Sequence, residues 1–279
     1  MTHPKPNITV KVDLTNPGQF FACCGLLELA DRLWPKAEVT AAFTVPRFER
    51  SRFSIFSKCG FKAQTLIEAL CNSTRTPVDP YVRIQKNGKE VKDPKKIKPV
   101  RLDLAGHDCG RQPVSIRLCW WLNEFAGEQL DDFKLWSAHP SSESLINDMA
   151  NAIEPDEISD ENVFEYSVGM SGRIGLDARS SWNALDEGFS PNNQNLEVET
   201  YPATELLAAV GLQNFVPVGK GNGYYYDCWS VHLPAIVAHA AVSGCISLPG
   251  ATRYRFQIGK RGRFKCFTKA LRIERNTND

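Results

Sequence analysis

The sequence predicts an α+β fold, and three observations carry that prediction. A strand-like alternation, Ile8-Thr-Val-Lys-Val-Asp-Leu14, runs into Asn16-Pro17 and then a helical repeat. The same order recurs at Leu196-Glu-Val-Glu-Thr-Tyr-Pro202 followed by Leu206–Leu212. A third alternating segment, Thr252–Ile258, passes through Gly259-Lys-Arg-Gly262 into Arg263–Thr268, the pattern of a hairpin.

The elements follow in chain order. Asn16 offers an N-cap side chain, and Pro17 suits the first helical position because its missing N–H has no partner to lose there. Phe20, Cys23, Cys24, Leu27, Ala30 and Trp34 recur at helical spacing until Pro35 ends the run. Val39–Val45 reads as a strand. Helices are expected over Ala63–Cys71, over Pro113–Phe125 and over Ser142–Ile153. Tyr224–Val231 reads as a strand, and Leu233–Val242, apolar on most sides, as a buried helix.

Phe20-Phe-Ala-Cys-Cys-Gly-Leu26 and Leu206-Leu-Ala-Ala-Val-Gly-Leu212 align position by position, with Ala, Gly and Leu identical in both copies. A glycine inside a helix costs ~1 kcal/mol against alanine, and a close packing contact is the natural compensation. The repeat predicts two related strand–Pro–helix halves, although seven apolar residues also match by chance. Acidic Glu154–Glu161 marks the expected boundary. It divides residues 1–160, with a basic loop at 83–101, from residues 161–279, with the basic hairpin at 252–268. In the second copy Ala209 and Val210 stand where Cys23 and Cys24 stand in the first, so the cysteine pair is expected to fill core rather than to react.

The chain has 279 residues, 42% hydrophobic and 23% charged, with net charge +1. That is a globular composition, and total charge points to no partner. MTHPKPN lacks the apolar centre of a signal peptide and no run is long enough to span a bilayer, which predicts a cytoplasmic protein with no membrane contact. Nine cysteines, an odd number with no C-x-x-C spacing, predict reduced thiols and no structural metal.

Charge is strongly segregated. Arg47–Arg101 holds 14 Lys and Arg against 5 Asp and Glu, net +9. Glu124–Glu165 holds 12 Asp and Glu against one lysine, net −11. The basic part peaks in a loop containing Lys86, Lys89, Lys92, Lys95, Lys96 and Lys98, with a smaller cluster at Arg47, Arg50 and Arg52. In the hairpin Arg253, Arg255, Arg263 and Lys265 alternate with aromatic or cysteine residues, and the turn adds Lys260 and Arg261. Such cations can neutralise phosphates and supply sequence-independent affinity for nucleic acid.

No motif of catalysis is complete. Val218–Tyr226, with Lys220, is glycine-rich but lacks G-x-x-x-x-G-K-[ST]. It reads either as a glycine loop along a nucleic-acid backbone with tyrosines available for stacking, or as an ordinary turn. His107-Asp108 lacks the further histidines of a metal phosphohydrolase, and neither G-x-S-x-G nor H-E-x-x-H occurs. No catalytic residue and no cofactor are expected. Ser171–Gln194 is polar, long and glycine-punctuated. In it Arg173, Arg179, Asn192, Asn193 and Gln194 are candidates for contacts to base edges. The competing class is a metal-dependent nuclease or a thiol enzyme, for which Asp108 and Asp177 are the carboxylates to test.

NPGQFFACCGLLELADRLW, together with SGRIGLDARSSWNALDEGFSPNNQNLEVETYPATELLAAVGLQ, resembles a small CRISPR-associated protein encoded beside type I-U (I-G) Cascade genes. The resemblance rests on about 65 residues in two blocks. It implies a non-catalytic, large-subunit-like component of a surveillance complex. Expected partners are other Cascade subunits, the CRISPR guide RNA, target double-stranded DNA and the helicase-nuclease that the complex recruits. Such subunits read the flanking motif and hold displaced DNA, while base pairing supplies sequence specificity. This chain is much shorter than a usual large subunit. A backbone-type subunit with ferredoxin-like (RAMP-like) units touching guide RNA is the alternative.

Overall fold

The computed structural model describes residues 5–46, 49–78, 83–84, 90–91, 99–105, 114–119, 142–179, 197–220, 223–261 and 264–273. The chain opens with β1 (Ile8–Val12), α1 (Pro17–Leu33), β2 (Thr40–Thr44), β3 (Ser51–Phe56) and α2 (Ala63–Cys71). Strands β4 (Thr74–Pro77), β5 (Arg83–Ile84), β6 (Glu90–Val91), β7 (Val100–Leu104) and β8 (Val114–Leu118) follow. Next come α3 (Ser142–Asn151), a 3₁₀ turn at Pro155–Glu157, β9 (Val168–Met170), β10 (Val198–Thr200) and α4 (Pro202–Gly211). The last part is β11 (Val218–Lys220), β12 (Gly223–Cys228), α5 (Ala235–Val242), β13 (Thr252–Phe256), β14 (Ile258–Arg261), β15 (Phe264–Phe267) and β16 (Leu271–Ile273).

The α+β class is as expected, and α1 is its axis. Asn16 caps the helix: its backbone is extended and its Oδ1 accepts from the Gly18 N–H at 3.0 Å. The helix is buried along nearly its whole length, Cys23 and Cys24 included. Phe20 stacks on Tyr226 at 4.2 Å and on Phe43 at 5.4 Å, which joins α1 to β12 and to β2. The mid-helix charge Glu28 is buried too. It accepts from Asn214 Nδ2 at 2.6 Å, lies 3.0 Å from His239 Nε2 and takes Arg32 one turn on. Burial alone would push this carboxyl up, but those hydrogen bonds outweigh it and hold Glu28 below the usual carboxylate range.

The two helices of the sequence repeat pack on one another. Gly25 of α1 meets the Leu207 backbone, and Gly211 of α4 meets the Phe21 backbone. Phe21 and Leu207 are equivalent positions in the repeat, so the contact is reciprocal. A Cβ at Gly25 would sit 2.0 Å from the Leu207 carbonyl oxygen, and one at Gly211 would sit 2.1 Å from that of Phe21. Only glycine permits this approach.

Sheets of order β1-β3-β2, β4-β7-β8 and β11-β12-β13-β16 surround the helices, with smaller pairs β5-β6, β9-β10 and β14-β15. Every pairing among the described strands is antiparallel. With β3 lying between β1 and β2, the β1-α1-β2-β3 connectivity is that of the first half of a ferredoxin-like, split β-α-β unit, whereas β4 pairs with β7 rather than completing that sheet beside β1. The free edge of β2 pairs with the segment after β12: Phe43 N–H donates to Trp229 O at 3.0 Å, and Ala41 and Leu233 exchange both bonds. The core runs without interruption across residue 160.

Several segments differ from their sequence reading. Residues 114–118, expected in a helix over 113–125, form β8, where Ile116 and Leu118 are buried and Ser115 and Arg117 exposed in period 2. Pairing with β7 takes precedence there over the i, i+4 apolar spacing; residues 120–141 lie outside the described set. Helix α5 buries only Ala235, Ala238, Ala241 and Val242, and its Ile236 is 74% exposed. The acidic Glu154–Glu161 segment is packed rather than loose. Asp160 accepts from the Ala63 N–H at 3.0 Å, at the start of α2, and from the Thr9 N–H at 3.4 Å on the edge of β1. The basic segment 252–268 is not one ribbon, because β13 belongs to the four-stranded sheet and β14-β15 forms its own hairpin.

Candidate nucleic-acid interface

The four-stranded sheet in the C-terminal part has two unlike faces. Alternation sends Tyr224 and Tyr226 of β12, and Tyr254 and Phe256 of β13, inward against α1. The residues between them face outward. Register places Val218, Tyr225, Arg255 and Leu271 in one row across all four strands. Leu271 is 74% exposed and Val218 38%, with Tyr225 and Arg255 half-buried between them. The next row is Asp227, Arg253 and Ile273. Arg253 grips the buried Asp227 carboxylate with two bonds, Nε to Oδ1 at 2.7 Å and Nη2 to Oδ2 at 2.9 Å.

Charge on this part of the chain is one-sided. From Thr252 to Ile273 there are eight Lys and Arg and no Asp or Glu. The sheet's one carboxylate, Asp227, is neutralised by Arg253. Lys269 and Arg272 are exposed beside or on the edge strand β16. Sequence reading passed over both, because three-residue β16 is too short to show a period.

The described candidates occupy different situations. Arg173 is 3% exposed and lies among the groups around Glu205, so in this conformation it reaches no base edge. Its segment, expected to be a polar functional loop, is core from Arg173 to Ala178. Asn16 Nδ2 donates to Asp177 Oδ1 at 2.8 Å, and Asn16 Oδ1 accepts from Ala178 N–H at 3.2 Å. From the other side Glu205 accepts from the N–H groups of Gly175, Leu176 and Asp177 at 3.0–3.3 Å. Two side chains near the starts of α1 and α4 thus hold one segment between them.

Arg179 is anchored. It makes paired bonds to Asp177, donates to the Phe164 carbonyl at 2.6 Å and to Glu165 at 3.1 Å, and lies 3.5 Å over the Tyr201 ring. Arg50 reaches Glu165 at 3.1 Å and Arg52 reaches Glu49 at 3.0 Å, both on the surface. Arg50 and Arg179 line a cleft of about 340 Å³ with Asp13, Glu49 and Glu165. Its cations already face carboxylates, so it is a poorer phosphate site than the sheet. The row residue Arg255 has its guanidinium carbon 5.9 Å from the Tyr225 ring centroid.

Lys220, Lys260, Arg261 and Lys265 lie in strands β11, β14 and β15, which places them on or next to this sheet in the chain. Arg47, Lys86, Lys89, Lys92, Lys95, Lys96, Lys98, Asn192, Asn193, Gln194 and Arg263 lie outside the described residues, as does the His107-Asp108 pair.

Among the described residues, Asp177 and the cysteines of the core are engaged or buried. Asp177 is fully buried against Asn16 and Arg179. Burial pushes the thiols of Cys23, Cys24 and Cys228 well above the usual range, which suppresses the reactive thiolate. Among the described residues no group of three or more His, Cys, Asp or Glu is placed to hold a metal ion, and no helix is long and apolar enough to cross a membrane. Set against family models, curated proteins and solved structures, the chain matches none.

Proposed function

We propose that the chain is a non-catalytic, nucleic-acid-contacting subunit of a type I CRISPR RNA-guided surveillance complex, large-subunit-like in its place. The observation that carries the reading is the outward face of the β11-β12-β13-β16 sheet. It continues into a segment with eight cations, of which Arg253 is paired with Asp227, and no carboxylate of its own, and a half-buried aromatic ring stands in its outward row. A polyanion gains from that charge through release of its counterions. The resemblance of the two sequence blocks to a Cascade-associated protein supports the same assignment. Its partners are then other Cascade subunits, guide RNA, target double-stranded DNA and the recruited helicase-nuclease. Among these, the sheet face is best suited to a nucleic-acid strand.

The test is co-expression with the neighbouring Cascade gene products and a CRISPR array, purification through a tag on this chain, and sequencing of the bound nucleic acid. The reading expects the other subunits and guide RNA to co-purify, and target DNA to join on addition. Recovery of the chain alone, free of RNA and of those subunits, contradicts it. A nuclease assay of the isolated chain with Mg²⁺ or Mn²⁺ addresses the enzyme class: cleavage lost in Asp177→Ala or Asp108→Ala would replace the reading.

A further inference from the structure

We infer that Tyr225, flanked by Val218, Arg255 and Leu271, is a stacking site for an unpaired base of single-stranded nucleic acid. The inference rests on the nucleic-acid reading above and names the ligand class of that same face.

Four observations carry it. The row crosses four strands, and at about 4.8 Å between strands it spans roughly 14 Å, room for about two nucleotides. Its two ends are apolar and exposed, Leu271 at 74%, where a strand facing water would carry polar residues. Its cation is held in place. Arg255 lies across Gly223, where a Cβ would come 2.4 Å from its Nε. The guanidinium carbon stands 5.9 Å from the Tyr225 centroid, near the outer limit of a cation–π contact, so Arg255 does not cover the ring. The contrast is Tyr201, whose face Arg179 covers at 3.5 Å.

A half-buried aromatic on the outward face, with apolar Val218 on one side and the Arg255 guanidinium on the other, matches what a nucleotide offers. The base brings a π-face, and its phosphate brings a negative charge. The surrounding charge fits, since Lys269 is exposed beside the same edge strand and the row itself holds no carboxylate, whereas Arg272, the register partner of Tyr254, belongs to the other face. A duplex suits the row less well, because its bases are already stacked on one another.

The experiment uses the full-length chain with a fluorescein-labelled 20-nucleotide single-stranded RNA and the matching duplex, read by anisotropy. Tyr225→Ala is expected to weaken single-strand binding by roughly tenfold, with Tyr225→Trp retaining it and the duplex little affected. Gly223→Ala, which displaces Arg255 without touching Tyr225, is expected to weaken it by a smaller factor. Photocrosslinking with 5-iodouridine RNA is expected to mark the peptide holding Tyr225. Circular dichroism and a thermal melt establish that each variant is folded. Unchanged affinity in a folded Tyr225→Ala protein, or a crosslink mapping elsewhere, overturns the stacking site. If binding persists and still falls on reversal of the hairpin cations, the nucleic-acid reading survives that result. Absence of binding to any nucleic acid, alone and in the assembly, overturns both. Burial of the row by a protein subunit in the assembled complex, with no RNA contact, overturns the stacking site alone.

Discussion

Gly25 and Gly211 face each other across the crossing of α1 and α4, and a Cβ on Gly211 would lie 2.8 Å from the Gly25 nitrogen. The atoms in the way are backbone, which cannot swing aside as a side chain can. In an open helix alanine would gain ~1 kcal/mol over glycine. At this crossing, Gly25→Ala or Gly211→Ala must instead push two buried helices apart, and overpacking of that kind costs about 1–3 kcal/mol or more. Both variants are expected to lower the urea midpoint of unfolding. Midpoints equal to wild type would mean that the helices do not touch in this way.

Glu205 gives a pH signature with a defined sign. Burial, with Asp177 nearby, raises its carboxyl to about 7 against an ordinary 4.5, although N–H donors from Leu176 and Asp177 pull the other way. The folded protein therefore keeps a proton that the unfolded chain releases between those values. Its stabilising effect is fully present below pH 4.5 and is lost as pH rises through 7. Relative to Glu205→Gln, which cannot titrate, wild type is expected to lose stability between pH 5 and pH 8. Parallel stability profiles for the two proteins would contradict this.

Asn16 serves both as helix cap and as tie to the 177–178 segment. Asn16→Ala removes a cap worth about 1 kcal/mol and leaves the buried Ala178 N–H and one side of Asp177 without that partner, at a further ~1–3 kcal/mol. The sum is expected to exceed the loss from an ordinary exposed cap, read by chemical denaturation. A loss below about 1 kcal/mol would show that the segment is held without Asn16.

Thiol reactivity separates packing from chemistry. Cys59 and Cys245 are exposed, while Cys23, Cys24, Cys228 and Cys266 are buried. A native-state titration with Ellman's reagent, followed by mass spectrometry, is expected to label Cys59 and Cys245 and to spare those four until denaturant is added. Fast labelling of Cys23 or Cys24 would reopen the thiol-enzyme class.

Legibility followed local physics. The cap at Asn16, the stop at Trp34-Pro35 and the span Ala63–Cys71 were readable because each depends on neighbours in sequence. The glycine repeat announced a close contact, and that contact proved to be between the two repeat helices themselves. What escaped were pairings between distant residues. Strand β8 is set by β7, and Arg173 reads as a surface arginine until Asn16 and Glu205 draw its segment inward. Nor does composition reveal that Arg50, Arg52, Arg179 and Arg253 each find a carboxylate. The alternation of 224–226 does separate Tyr225 from its buried neighbours once a strand is assumed.

The central claim is that cations of the C-terminal sheet and hairpin grip a nucleic-acid strand. Its most direct test is the salt dependence of single-stranded RNA affinity for wild type and for a variant with Arg255, Lys260, Arg261 and Lys265 changed to Glu. A wild-type plot of log affinity against log salt is expected to fall steeply, and loss of each phosphate contact to flatten it by about 0.7. The variant should bind more weakly at low salt with a clearly shallower slope. Equal affinity and equal slope in the two proteins would contradict the account.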